Sequence, residues 1–256
     1  MSHSRFVWFD LNTTDIDAAR AFYTDVVGWG TESWQPSPEA PPYLMFTAGG
    51  NAIGGFRALP DAAKAMGAPP HFLAYVSCAD VDATTAKAAA LGATTLMAPM
   101  DIPTVGRFSV IRDPWGAVIA PFTPANPMTD DGVGPGLVAW RELMTDDLEG
   151  AVGFYADLFG WVETGSMDMG PAGRYPMFGG DAEQMLGGMM TRPVEMPMSA
   201  WLYYFNVPDL GAAIARAKAA GGQLVSGPME VPGGDHVAEL RDPQGASFAL
   251  HELAKG

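Results

Sequence analysis

Positive charge is scarce in this chain: 14 lysines and arginines face 29 aspartates and glutamates, for a formal net charge of −15. A phosphate backbone would be repelled and no basic stripe offsets the imbalance, so nucleic acid is excluded as a partner. Cysteine is nearly absent. Cys78 is the single one, which rules out an internal disulfide, and its apolar run AYVSC points to a buried structural thiol in a reducing compartment. No run approaches the roughly 18 consecutive apolar residues of a membrane helix. The start, MSHSRFVWFDL, leads into a strand-like segment rather than a signal peptide, so a cytoplasmic protein with no membrane partner is expected. Histidine is limited to His3, His71, His236 and His251, enough for one sparse metal site at most. Disorder is excluded for the bulk of the chain, because 48% hydrophobic against 17% charged residues over 256 positions supplies two ordinary cores.

What the chain has in plenty is self-similarity. FYTDVVGW, from Phe22 to Trp29, returns as FYADLFGW, from Phe154 to Trp161, and the same spacing relates Trp8 to Trp140 and Tyr43 to Tyr175. Small slips then relate Gly54 to Gly187, Asp113 to Asp242 and Gly116 to Gly245. Two copies of one unit follow. The first is expected over 1–124 and the second over 137–256, with a Pro- and Gly-rich linker at 125–136. Each copy reads as strand, helix and further strands, twice over. Helices open at Asp15, Asp80 and Asp147, whose side chains suit capping, and close at Gly28, Gly92 and Gly160. Paired strands flank Gly49-Gly50, and hairpins reverse at Asp113-Pro114-Trp115-Gly116 and Asp242-Pro243-Gln244-Gly245, with turn chemistry that suggests a structural role. The expected class is α+β, built from tandem βαβββ modules.

That order, the FY…GW helix and the D-P-x-G hairpin together resemble the vicinal oxygen chelate superfamily of glyoxalases, bleomycin resistance proteins and extradiol dioxygenases, in its double-domain, glyoxalase-like branch. The resemblance covers nearly the full length and implies two open barrels, each around a cavity. It also implies where metal ligands would stand. The position on the first strand, seven residues before the helix-opening Asp, holds Trp8 and Trp140. The last-strand position holds Ala120 and Ala249, the strand opening the second module holds Leu73 and Leu202, and the strands NAIGG and QMLGG lack the usual Glu. Indole and alkyl groups do not ligate a divalent ion. No metal and no other cofactor is therefore expected.

Strand alternation indicates what faces the cavities instead. Asp10 shares a face with Trp8, and Glu142 with Trp140; Phe122 and His251 share faces with Ala120 and Ala249. Tyr75 and Tyr204 join them, and counting across each D-P-x-G hairpin aims Arg107 and His236 inward and Glu239 outward. Trp8, Trp140, Tyr75 and Tyr204 can equally serve packing, and an Arg107–Asp10 bridge would account for a buried carboxylate without any ligand. The methionines between Met185 and Met198 could shape an adaptable apolar pocket or simply fill core. Gly54-Gly55 and Gly187-Gly188 open no helix, so close strand packing explains them better than phosphate binding.

Three functions are open. The first is a metal-independent binding protein holding a small aromatic or mixed-polarity molecule through Trp8, Asp10, Tyr75, Arg107, Trp140, Tyr204 and His236. The second is a metal-free lyase- or isomerase-type enzyme with Glu142 and His251 as acid and base. The third, ranked last, is a metal-dependent glyoxalase-type lyase using His71 in an unusual ligand set. Association of two copies through sheet edges is compatible with any of them.

Overall fold

Asp15, Asp80, Asp147 and Asp209 each accept a backbone N–H from three residues on, at 2.8–3.0 Å, and so start four equivalent helices. The computed structural model describes residues 4–35, 37, 39, 41–126, 128, 133–181 and 183–254. Positions 127 and 129–132 of the expected linker lie outside the described residues, as does His3.

The first module comprises β1 (Phe6–Thr13), α1 (Ile16–Val26), β2 (Gly30–Trp34), β3 (Tyr43–Ala48) and β4 (Asn51–Ala58), followed by a short α2 (Asp61–Ala65). The second comprises β5 (His71–Ser77), α3 (Val81–Ala90), β6 (Thr94–Ile102), β7 (Gly106–Arg112) and β8 (Val118–Pro124). The third comprises β9 (Val138–Thr145), α4 (Leu148–Phe159), β10 (Val162–Asp168), β11 (Arg174–Gly179) and β12 (Met185–Thr191). The fourth comprises β13 (Ala200–Asn206), α5 (Leu210–Ala219), β14 (Gln223–Glu230), β15 (His236–Arg241) and β16 (Ser247–Glu252). Two open, mixed sheets result, ordered β2-β3-β4-β1-β5-β8-β7-β6 and β10-β11-β12-β9-β13-β16-β15-β14. The α+β architecture is the expected one. Strands β6 and β14 were not legible from alternation, because as edge strands they are mostly exposed and tolerate Pro99 and Pro228.

Contacts divide the chain into two units that each draw on both copies. Unit 1 is Met1–Trp8, Ala74–Asp130 and Trp140–Leu202; unit 2 is Phe9–Leu73, Asp131–Ala139 and Tyr203–Gly256. In unit 2, Tyr23 stacks on Trp29 at 5.2 Å, Trp29 stacks on Phe46 at 4.0 Å, and the Trp29 indole donates to the Gly136 carbonyl at 2.8 Å. In unit 1, Tyr155 stacks on Trp161 at 5.5 Å, Trp161 on Phe178 at 4.5 Å, and the Trp161 indole donates to the Ser4 carbonyl at 2.7 Å. The repeated FY…GW motif is thus a core stack with its one polar atom satisfied.

The same motif grips the D-P-x-G hairpin. The Tyr23 hydroxyl donates to Asp242 Oδ2 at 3.1 Å within unit 2, and Tyr155 donates to Asp113 Oδ2 at 3.0 Å within unit 1. The other oxygen of Asp113 accepts the N–H groups of Trp115, Gly116 and Ala117; that of Asp242 accepts those of Gln244, Gly245 and Ala246. Burial pushes both carboxyls above the usual range while these hydrogen bonds oppose it, and burial beside Asp242 pushes the Tyr23 phenol up. Among the described residues no helix is long and apolar enough to cross a membrane.

Candidate functional site

Parallel pairing of β1 with β4 sets Asp10 opposite Gly55 and Asn12 opposite Arg57. Partners in register share a sheet face, and the missing side chain at Gly55 leaves room for a ring. Tyr43 reaches from β3 into that room: a Cβ on Gly55 would lie 2.1 Å from its hydroxyl. The Tyr43 hydroxyl donates to Asp10 Oδ1, and Arg57 Nη1 lies 3.3 Å from Asp10 Oδ2. On the neighbouring β5, His71 brings Nε2 to 3.5 Å from Asn12 Nδ2 while its Nδ1 lies 2.8 Å from the Pro69 carbonyl. Burial lowers the basicity of His71 and the Pro69 bond only partly restores it. All five side chains belong to unit 2.

Unit 1 repeats the centre of this arrangement and changes its rim. Glu142 on β9 pairs with Gly188 on β12, and a Cβ on Gly188 would lie 2.3 Å from the Tyr175 ring. The Trp140 indole donates to the Tyr175 hydroxyl, which donates to Glu142 Oε1, both at 2.7 Å. Burial first, then the Glu142 charge, raise the Tyr175 pKa. Where unit 2 has Asn12, Arg57 and His71, unit 1 has Met144, Met190 and Ala200.

Along the other strands, Tyr75 pairs with Ala120 and Tyr204 with Ala249, so both tyrosines share the faces expected of them. Both are buried; Tyr75 makes edge and tilted contacts with Phe122 and Phe108 at 5.9 and 5.6 Å. His251 is buried, with Nδ1 2.7 Å from Asn206 Oδ1 and Nε2 3.0 Å from Asp235 Oδ2. Glu142 falls in unit 1 and His251 in unit 2, each with partners of its own.

Arg107 and His236 do not face inward. Asp113 and Asp242 close their hairpins by donating N–H to Ala117 and Ala246, so an odd number of residues makes each turn and inverts the parity count. Arg107 therefore pairs with Thr123 and His236 with Glu252, on the faces opposite Ala120 and Ala249, whereas Glu239 pairs with Ala249 and shares its face. Arg107 instead binds Asp82 at 2.7 Å and Asp101 at 3.0 Å at the surface, and the expected Arg107–Asp10 bridge is replaced by Arg57–Asp10.

A family model described as Glyoxalase/Bleomycin resistance protein/Dioxygenase superfamily matches residues 5–120 and 137–250. The chain belongs to this superfamily. CFP32 of Mycobacterium tuberculosis, which provisionally carries the name glyoxylase, is 36% identical over 245 residues, covering 95% of this chain and 92% of the relative. The anthracycline biosynthesis protein DauV of Streptomyces sp. is 31% identical over 258 residues, covering 96% and 92%. Among solved structures, the Mn(II)-bound glyoxalase from Novosphingobium aromaticivorans aligns with a TM-score of 0.65 at 16% identity, covering 99% of this chain and 83% of that one. Homoprotocatechuate 2,3-dioxygenase from Arthrobacter globiformis gives 0.67 at 16%, covering 98% and 80%. Those two likenesses are of fold.

Glyoxalases and dioxygenases of this superfamily imply a divalent metal, and the donor set here does not fit one. Trp8, Leu73 and Ala120 in one sheet, and Trp140, Leu202 and Ala249 in the other, offer no suitable lone pair. Among the described residues no three His, Cys, Asp or Glu side chains gather as a ligand group. Sequence reasoning missed Tyr43, Arg57, Asn12 and Tyr175 as site residues. The signal for the tyrosines was present in their repeat spacing and in the glycines beneath their rings.

Proposed function

We propose that this superfamily member is a metal-independent binding protein for a small aromatic or mixed-polarity molecule, acting in the cytoplasm. The observation that carries the reading is the duplicated carboxylate–tyrosine pair, Asp10–Tyr43 and Glu142–Tyr175, beside positions where metal ligands are replaced by indole and alkyl groups. A carboxylate on a sheet face is retained against its desolvation cost only where it is paired, and the partner common to both units is a phenol, joined in unit 2 by the Arg57 guanidinium. In unit 1 the ligand contacts are assigned to Trp8, Tyr75, Trp140 and Glu142; in unit 2 to Asp10 and Tyr204. An aromatic ligand accords with relatives named for anthracycline biosynthesis. Elemental analysis after loading with divalent ions and dialysis should show no retained stoichiometric metal, and a screen of aromatic metabolites by tryptophan fluorescence should give saturable binding that chelators do not alter. Retained metal, or binding abolished by chelation, would overturn the reading.

A further inference from the structure

The rim of the Asp10 face in unit 2 is polar where its repeat in unit 1 is apolar. Asn12, Arg57 and His71 are brought to one face by register and by contact, with Asn12 paired to Arg57 across the strands and touching His71 through its side chain. We propose that this face of unit 2 binds a small organic carboxylate that also carries a hydroxyl, with Arg57 meeting the carboxylate and His71 Nε2 accepting from the hydroxyl. The inference rests on the small-molecule reading above and names the ligand class of one unit.

Two features fix the polarity of the site. Arg57 keeps 39% of its side-chain surface exposed while its partner Asp10 keeps 3%, so an approaching ligand meets the cation and not the carboxylate behind it. In a chain of net charge −15, an anion needs such a local cation, and a guanidinium holds a carboxylate through charge-assisted hydrogen bonds. The second feature is the tautomer of His71. The Pro69 carbonyl can only accept, so Nδ1 carries the proton and Nε2 presents its lone pair. The donor facing that lone pair is Asn12 Nδ2 at 3.5 Å, the long limit of a hydrogen bond, and a ligand hydroxyl at ordinary distance would displace it with little loss. Burial favours the neutral ring and so preserves the acceptor. Met144, Met190 and Ala200 provide neither function, so the equivalent face of unit 1 has no corresponding preference.

Calorimetric titration with 4-hydroxybenzoate, 4-hydroxybenzamide and benzoate tests the assignment. The wild-type protein should bind 4-hydroxybenzoate about tenfold more tightly than the amide or benzoate, as expected for one charge-assisted contact and one buried hydrogen bond. Arg57→Met, which installs the residue of the other unit, should erase the acid-over-amide preference, and Arg57→Lys should restore part of it. His71→Ala should weaken 4-hydroxybenzoate about tenfold and leave benzoate unchanged. If Arg57→Met fails to fold because Asp10 loses a partner, His71→Ala decides alone. Equal affinity for acid and amide, no binding of 4-hydroxybenzoate, or indifference to the His71 variant overturns the inference. Binding of the amide or other neutral aromatics without acid preference sinks only this inference; no binding of any aromatic sinks the small-molecule reading with it.

Discussion

Units 1 and 2 are built from equivalent modules and agree wherever agreement is a packing necessity. Both stack a tyrosine, a tryptophan and a phenylalanine in the core, both tie that tyrosine to the hairpin aspartate, and both lay a second tyrosine over a glycine to reach a carboxylate. They diverge at positions outside those contacts, and the divergence is correlated. In unit 1, Phe122 fills the space above Gly106, where a Cβ would lie 2.6 Å from the ring. In unit 2 the smaller imidazole of His251 stands in place of Phe122, and Asp235 stands in place of Gly106 and bonds it. A change at one site is matched at its neighbour, which is what two surfaces adapted to different contents, on one conserved frame, would require.

The frame is tested where it is least tolerant. Gly54→Ala and Gly187→Ala each place a Cβ 2.0 Å from a backbone oxygen, of Phe9 in unit 2 and Arg141 in unit 1. Backbone cannot yield as a side chain can, so each should cost about 3 kcal/mol or more, at the upper end of overpacking penalties. Urea unfolding should show equal damage in both. A tolerated alanine in one unit alone would break the claim that the frame is common.

Next comes the tyrosine–aspartate tie. Tyr23→Phe leaves Asp242 one partner short in a buried site, for a loss of about 1–3 kcal/mol. Tyr155→Phe should cost more, because the Tyr155 hydroxyl also accepts from the Trp201 indole at 3.1 Å. Equal midpoints for the two variants in urea would remove that distinction between the units. High pH probes the same phenols. Tyr23 and Tyr175 have native pKa values raised above the unfolded value near 10, so the stability linked to their neutral forms is complete below about pH 10 and is lost as pH rises toward the native values. Denaturation midpoints should fall above about pH 10, less steeply in Tyr175→Phe; a variant with an unchanged slope would count against burial of that phenol. Asp113 and Asp242, also raised, contribute fully below about pH 4 and lose that contribution as pH rises, so they do not drive acid unfolding.

The frame was legible in the sequence because it repeats: FY…GW, the capping aspartates and D-P-x-G recur at matched spacing, and each recurrence supports the other. Asp10 and Glu142 were found by alternation along one strand, which needs no knowledge of partners. Alternation failed across the hairpins, since a turn with an odd residue count inverts the face, and it therefore misplaced Arg107, His236 and Glu239. Bringing Arg57 and His71 to the Asp10 face required register between strands, a long-range property that no local pattern encodes. The two tyrosines left a trace in their repeat spacing and the glycines beneath them, but their carboxylate partners did not follow from it.

The smallest effect concerns the correlated pair itself. His251→Phe recreates the unit 1 residue in unit 2, removing bonds to Asn206 and Asp235 and setting a ring against a carboxylate that keeps 29% of its surface exposed. Because Asp235 still accepts from the Ala254 N–H at 2.7 Å, partial solvation limits the loss to about 1–2 kcal/mol. Asp235→Gly alone should cost about 1 kcal/mol by stripping His251 of that partner. Together they reproduce the Phe122–Gly106 arrangement, so the double variant should be about 1 kcal/mol more stable than the two losses predict, a coupling typical of side chains in contact. Thermal or urea unfolding of the four proteins gives the cycle. Strict additivity would mean that the matched change between the units is coincidence of sequence and not adaptation of one contact.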